Sequence, residues 1–315
     1  MSKAIYIATI EANSGKSLIS LGLMQLLLGT TAKVGFFRPI ISDYPSGQRD
    51  NHINTMLSYF NLPIEYDDAY AFTRNEIAAK KQQNKEDEIL DTIIKKYKAL
   101  EERFDFVLVE GTDFTGEGEI LEWDINVLTA KNLGIPTIVV ASGVGKTLTN
   151  VVGNLHLACK SFIENGVDVL MAVANKVQTE NIEIVTSALK KELPKSILVG
   201  AVPLNPVLGN PSIKEIAEHL DGKVLFGEKY VNNQVNNFDV GAMQLRNYLA
   251  FLKDNDLVIT PGDRADIILG ALQANVSKNY PTISGIILTG GLLPEEPIIK
   301  LIEGLSDVVP ILSVS

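Results

Sequence analysis

Glu11-Ala12-Asn13-Ser14-Gly15-Lys16-Ser17 decides the reading of this chain. It follows an apolar run, residues 4–10, and precedes an apolar-periodic one, residues 18–28, so the local order is strand, loop, helix. Gly-Lys-Ser at that junction turns backbone N–H groups and the positive end of a helix toward an anion. The Lys16 ammonium then meets outer phosphates and the Ser17 hydroxyl meets Mg²⁺. The stretch therefore reads as a phosphate-binding loop, with Asn13, Ser14, Gly15, Lys16 and Ser17 around the anion. The usual pattern places a glycine five residues before Gly15, where this chain has Ile10. The alternative is a relic loop that now only packs.

A second stretch has the same ending. Ser142-Gly143-Val144-Gly145-Lys146-Thr147 also follows an apolar run, and Val140 stands where its first glycine belongs. Only the first loop has a downstream strand-end acid in the expected order. The second reads as a glycine-rich turn opening a helix over residues 147–165.

Composition sets the bounds. The 315 residues are 46% hydrophobic and 21% charged, which is globular composition for one large or two ordinary domains. A net charge of −10 opposes binding to nucleic acid or to an anionic membrane, since both depend on Lys and Arg neutralising phosphates. The single Cys159 allows no internal disulfide, no run is long enough to span a membrane, and Met1-Ser2-Lys3 leads straight into a strand, so a cytoplasmic protein is expected. Cys159 lies in a helical pattern among Leu155, Leu157 and Phe162 and reads as a buried small hydrophobe. His52, His156 and His219 have no metal-ligand spacing.

Apolar runs alternate with helical patterns as far as Pro206. Strands are expected at 4–9, 33–37, 104–110, 136–141, 167–174 and 197–202, with a charged helix at 85–103. The fold class is α/β, a P-loop NTPase-like and mostly parallel sheet with helices on both faces. After Pro206 the chain turns glycine- and asparagine-rich, and Ser212 offers a helix cap ahead of residues 213–220. A domain of residues 1–206 followed by a smaller α/β domain of residues 207–315 is expected. The second has a polar connection at 232–237, strands at 257–260, 283–289 and 309–314, and helices at 265–276 and 294–305. Because the sequence stops at a strand, the natural polypeptide is expected to continue.

A nucleotide site also needs carboxylates for Mg²⁺ and a base-recognition element at neighbouring strand ends. Glu110 closes an apolar strand and reads as a metal or water-shell ligand, or as a plain strand-end charge. Asp50, after a Pro/Gly loop, reads equally as a metal-coordinating switch carboxylate or as a helix cap. Arg38, read as the end of the second strand, would meet phosphate or a substrate carboxylate, or lie on the surface. Asn175 can exchange hydrogen bonds with a purine edge while the Lys176 stem covers the ring, and Pro203 could line the same base pocket; a turn Asn and a strand-terminating Pro are the simpler readings.

On these residues the first 206 positions resemble the dethiobiotin synthetase branch of P-loop ATPases. The shared features are the glycine-poor loop, Arg38-Pro39 after the second strand, Val109-Glu110-Gly111 after the third, and Ala174-Asn175-Lys176. The synthetases carry a Lys before that Pro. Arg38 stays protonated and cannot take every role of a Lys, which argues against ligase chemistry. Thr260-Pro261-Gly262-Asp263-Arg264-Ala265-Asp266, followed by Leu288-Thr289-Gly290-Gly291, resembles the DRTGG domain, and Asn126 with Ala130-Lys131-Asn132-Leu133 is similar to the same larger family. A synthetase-like domain followed by a DRTGG domain resembles the N-terminal arrangement of long-form phosphate acetyltransferases.

That resemblance implies a regulatory part binding Mg²⁺ with ATP or another purine nucleotide. A catalytic C-terminal domain would lie outside this chain, the fragment would have no acetyltransferase activity of its own, and the protein would be a homo-oligomer. Asp263, Arg264, Thr289, Gly290 and Gly291 would form a second ligand site, or a structural ion pair and a tight turn. A stand-alone ATP-dependent ligase and an interaction scaffold with a dead nucleotide site are the alternatives.

Overall fold

The computed structural model describes residues 3–31, 33–45, 47–83, 85–112 and 119–315; Met1 and Ser2, read above as leading into the first strand, lie outside them. The chain divides into two compact units, Met1–Leu204 and Asn205–Ser315.

In the first unit the elements run β1 (Ala4–Thr9), α1 (Lys16–Leu28), β2 (Val34–Ile41), α2 (Asn51–Tyr59), β3 (Tyr70–Thr73), α3 (Arg74–Gln82), α4 (Glu86–Arg103) and β4 (Phe106–Glu110). They continue with α5 (Glu119–Leu133), β5 (Thr137–Ser142), α6 (Leu148–Glu164), β6 (Val169–Val177), α7 (Ile182–Glu192) and β7 (Leu198–Pro203). The seven strands form one sheet in the order β3-β2-β4-β1-β5-β6-β7, and every neighbouring pair is parallel. Each residue of β1 and β5 is buried, as both faces of a helix-covered parallel sheet require. β1 lies at the centre between β4 and β5; the chain builds β2, β3 and β4 on one side of it and then crosses to β5, β6 and β7 on the other. That reversal opens a crevice at the carboxyl ends of the strands, the usual ligand position in such sheets.

Two features depart from the sequence expectation. β2 does not end at Arg38; it runs on to Ile41. Its first half, Val34 to Phe37, pairs with β4, and from Arg38 onward it pairs with the short edge strand β3. Arg38 is consequently an interior strand residue and 2% exposed. Helix α1 is also turned differently from a plain apolar stripe. Its buried line is Lys16, Ser20 and Met24, while Leu18 and Leu26 are 41% and 69% exposed, because the helix gives its inner face to the site.

The second unit runs α8 (Ile213–His219), β8 (Lys223–Phe226), β9 (Asn237–Val240), α9 (Leu245–Tyr248), β10 (Asp256–Pro261), α10 (Ala265–Val276), β11 (Ile283–Thr289), α11 (Glu296–Glu303) and β12 (Ile311–Ser313). The sheet order is β8-β12-β11-β10-β9, with β8 antiparallel and the rest parallel. Alternate residues serve two small cores. Val258, Ile286 and Ile311 pack with α10 and α11, while Leu257, Ile287 and Leu312 meet Ile213 and Ile216 of α8. β8 and β9 were not anticipated, since both are four residues long and largely unburied.

Ser212 caps α8 in a full capping box: its hydroxyl accepts from Glu215 N at 3.2 Å, and Glu215 Oε2 accepts from Ser212 N at 2.8 Å. Ser212→Ala is expected to lower the stability of the second unit by about 1 kcal/mol. A urea melt of the chain measures this, and an unchanged midpoint would remove the cap from the account.

Candidate functional site

The loop after β1 is held open by left-handed backbone. Gly15, the residue before α1, has φ 79° and Asn13 has φ 54°. A Cβ on Gly15 would lie 2.4 Å from the Asn175 side-chain nitrogen, so both the torsion and the space demand glycine. Asn175 Nδ2 donates to Ser14 O at 2.8 Å and Lys176 Nζ to Asn13 O at 2.7 Å, so the end of β6 braces the loop. Asn175 is 1% exposed, with its amide nitrogen already engaged. Pro203 closes β7 in register with Val177 and is exposed. Gly15 has no side chain to cap α1, and the first turn of the helix has no acid.

Four buried charges meet beside the loop. Lys16, Arg38, Asp50 and Glu110 are each at most 2% exposed. Lys16 Nζ donates to the carbonyl of Gly111 and lies 3.8 Å from Glu110 Oε1. Arg38 Nη1 donates to Asp50 Oδ2, and Arg38 Nε lies 3.5 Å from Glu110 Oε1. Two cations thus face two carboxylates, the arrangement that burial of charge requires. Burial lowers the Lys16 ammonium to about 7, with Glu110 opposing the shift. Burial by itself would raise Glu110, but the Lys16 charge, the His52 hydrogen bond and Arg38 outweigh it and hold the carboxyl down at about 2.

Asp50 is the N-cap of α2. Its Oδ1 accepts from Ile53 N at 2.9 Å, its Oδ2 takes Arg38 and the Tyr44 hydroxyl at 3.1 Å, and its own N–H donates to Tyr66 OH at 2.7 Å. Its carboxylate is thus both the cap of α2 and the counter-ion of Arg38. His52, which has no metal-ligand spacing in the sequence, joins the group from the first turn of α2. Its Nδ1 lies 2.7 Å from Ser17 Oγ and 2.9 Å from Glu110 Oε1, so it bridges loop and carboxylate. Its position two residues after the Asp50 cap, on the first turn of α2, was the available signal. Asn126 works from behind: its Oδ1 accepts from Tyr6 OH at 2.7 Å and from Thr112 N at 2.9 Å, fixing the chain that follows Glu110. Gly111 leaves room for this, since a Cβ there would lie 2.5 Å from that oxygen.

Among the described residues no group of three or more His, Cys, Asp and Glu side chains is arranged to hold a metal. Mg²⁺ needs no such cage, because it keeps waters and takes substrate phosphates with one or two protein oxygens. Glu110 Oε2 is buried with no hydrogen-bond partner among the described residues, and a cavity of about 120 Å³ lined by Ser17, His52, Thr55 and Glu110 adjoins it. Leu21 and Met56 also line that cavity, and the His52 ring lies between the Ser17 hydroxyl and Glu110. Asp50 does not line that cavity.

The second glycine-rich loop, which ends in Gly-Lys-Thr, opens a helix: Thr147 caps α6 through Asn150 N at 3.3 Å. Glu11 accepts from Ser142 N at 2.7 Å and pairs with Lys146, joining the two loops. Cys159 is fully buried, and burial pushes its thiol up to about 12.

In the second unit, Arg264 pairs through two nitrogens with Asp266, at 2.9 and 3.0 Å, rather than with Asp263, and it donates to Met243 O at 2.8 Å. Gly290 and Gly291 have φ 74° and 64° after β11, where Thr289 stands opposite Pro261 of β10. Asp263 and the Thr289-Gly290-Gly291 turn thus lie at the carboxyl ends of adjacent parallel strands.

Removing Lys16 leaves Glu110 and Asp50 to share Arg38. Lys16→Met is expected to cost about 3–5 kcal/mol, and Lys16→Met/Glu110→Gln to regain most of it. Urea unfolding of both variants decides this. A double variant no more stable than the single one would mean that Lys16 and Glu110 do not depend on each other.

Residues 3–212 match the family model described as AAA domain, and residues 215–315 match the one described as DRTGG domain. A phosphate acetyltransferase of Nitratidesulfovibrio vulgaris is 41% identical over 100% of this chain and 45% of its own length. One from Synechocystis is 37% identical over 100% of this chain and 46% of its own. The chain thus spans about half the length of the curated relatives it matches. A solved structure of the CBS and DRTGG domains of the regulatory region of Clostridium perfringens pyrophosphatase, complexed with its activator diadenosine tetraphosphate, aligns with a TM-score of 0.27 at 24% identity, over 33% of this chain and 40% of that one. The chain belongs to the AAA-domain family, carries a DRTGG domain after its AAA domain, and is similar along its whole length to a region of phosphate acetyltransferases.

Proposed function

We propose that this chain is the N-terminal, nucleotide-sensing part of a phosphate acetyltransferase, and that acetyl transfer itself takes place in a further domain. The complete enzyme would interconvert acetyl-CoA and phosphate with acetyl phosphate and CoA. The observation that carries the reading is the braced loop with Lys16 and Ser17 beside Glu110, at the crevice of the parallel sheet. Phosphates would lie on the N–H groups of residues 13–17, with Lys16 on the outer ones and Ser17 and Glu110 toward hydrated Mg²⁺. The cation would supply charge neutralisation at those phosphates. Lys176 and Pro203 would border the purine, with Asn175 setting the loop. Asp263, Arg264 and the Thr289-Gly290-Gly291 turn would form the second effector region, and a cytoplasmic homo-oligomer would relay the signal through differential affinity for two states.

The four-charge group sets the cost of binding. A phosphate reaching Lys16 and Arg38 competes with Glu110 and Asp50, which already neutralise them, so affinity is reduced by whatever those contacts are worth. The same group favours a second reading, a loop closed on itself that serves only as scaffold. Mg²⁺ with ATP, ADP or GTP decides between the two. At a hundredfold excess over Kd the nucleotide is expected to add about 2.7 kcal/mol to stability, and Ser17→Ala to weaken binding with Mg²⁺ but not in EDTA. No change in melting temperature with any of the three supports the scaffold.

For activity, the 315-residue chain, free of host enzyme, is expected to form no acetyl-CoA from acetyl phosphate and CoA. Joining it to the remaining half of a curated relative should give the reaction, and turnover by the chain alone would end this assignment.

A further inference from the structure

One ring nitrogen engages both groups that a hydrated cation beside the phosphate loop would use. His52 Nδ1 lies 2.7 Å from Ser17 Oγ and 2.9 Å from Glu110 Oε1. Glu110 is held ionised, and an ionised carboxylate only accepts, so Nδ1 carries a hydrogen directed at Oε1 with the Ser17 hydroxyl beside it. Mg²⁺ takes hydroxyl and carboxylate oxygens directly or through its waters. Imidazole and cation therefore compete for the same two atoms. The ring also satisfies the carboxylate only by half, since Glu110 Oε2 is buried without a hydrogen-bond partner among the described residues.

The members of this contact differ in freedom. Glu110 is fully buried at the end of β4, and Ser17 is fixed in the first turn of α1. The His52 side chain is 32% exposed and borders a cavity of about 120 Å³ lined in part by Leu21, Thr55 and Met56, so the ring has space to turn into. Its backbone has none of that freedom. Two residues earlier Asp50 caps α2 through Ile53 N at 2.9 Å and pairs with Arg38, which pins the start of the helix. The contact thus opens by rotation of one side chain, from one rotamer to another, while α2 stays in place. We infer that His52 is a gate on the loop: turned inward it closes the chain against a Mg²⁺-bound nucleotide and turned outward it admits one, a control on the nucleotide site proposed above that exists only if that site does.

Such a gate lowers apparent affinity. Only the molecules with the ring turned out are competent, and the apparent dissociation constant rises by the inverse of their fraction. One hydrogen bond to a charged acceptor is enough to keep that fraction at about a tenth or below. The gate also acts selectively. A nucleotide reaching the loop without a cation has no use for the oxygens of Ser17 and Glu110, so the ring stays where it is. A histidine that merely propped Ser17 and Glu110 in position for the ligand would do the opposite, and its loss would weaken binding.

Calorimetric titration of the full chain with ATP, ADP and GTP, in Mg²⁺ and in EDTA, tests the proposal on the wild type, His52→Ala and His52→Phe, the last keeping a ring without a donor. Thermal melts confirm that each is folded. Both variants are expected to bind the Mg²⁺ nucleotide about tenfold tighter than the wild type, and the nucleotide in EDTA equally well. The chain has three histidines, so the His52 ring signals can be assigned by comparison with His52→Ala, and in the wild type they should shift with Mg²⁺ and nucleotide but not with nucleotide in EDTA. Binding by the variants where the wild type shows none would support the gate most directly. A wild type that binds, with variants that bind no tighter or more weakly, would overturn the gate and leave the nucleotide site standing. No uptake of any of the three nucleotides by any of these proteins would remove the site and the gate together.

Discussion

Two carboxylates and two cations, buried together where β1, β2 and β4 end or pass, constrain this protein more than any other contact. None of the four is more than 2% exposed, and an unpaired charge at such depth would cost several kcal/mol. The backbone around them follows from that demand. β2 must carry Arg38 inward past the end of β4, so it continues and takes β3 as a new partner. Asp50 must reach Arg38, so α2 starts at that carboxylate and uses it as cap as well as counter-ion. α1 must deliver Lys16, so its inner stripe is polar at the start and apolar only from Met24.

The same economy governs the loop that would hold an anion. Asn175 and Lys176 spend their nitrogens on its carbonyls, and Glu11 spends its carboxylate on the neighbouring glycine-rich turn. Groups with the chemistry for ligands are thereby also the groups that shape the cradle. A ligand arriving here would exchange one set of charge-assisted contacts for another, and its net affinity would be the difference between them. Arg264 of the second unit is used alike: it ties the carbonyl of Met243 to the first turn of α10 through its pair with Asp266.

Much of this architecture is written locally. The loop at Gly15, the strand at Ala4–Thr9, the helix at Ala265–Val276 and the Ser212 cap depend on residues adjacent in sequence, where periodicity, torsional need and capping all act within a few positions. β3, β8 and β9 escaped because each is four residues long, too short for a period to show and held by pairing with strands distant in sequence.

The sequence by itself determined the α/β class and the parallel sheet with a glycine-containing loop at the end of its first strand, because those signals are carried by runs of consecutive residues. Only the tertiary structure decided that Arg38 is interior, that Asp50 is its counter-ion, that His52 bridges Ser17 and Glu110, and that Arg264 pairs with Asp266 rather than with Asp263. Those are choices of partner. A charged side chain several ångströms long can reach many groups, and which one it meets is fixed by strand order and burial, which no short window of sequence contains.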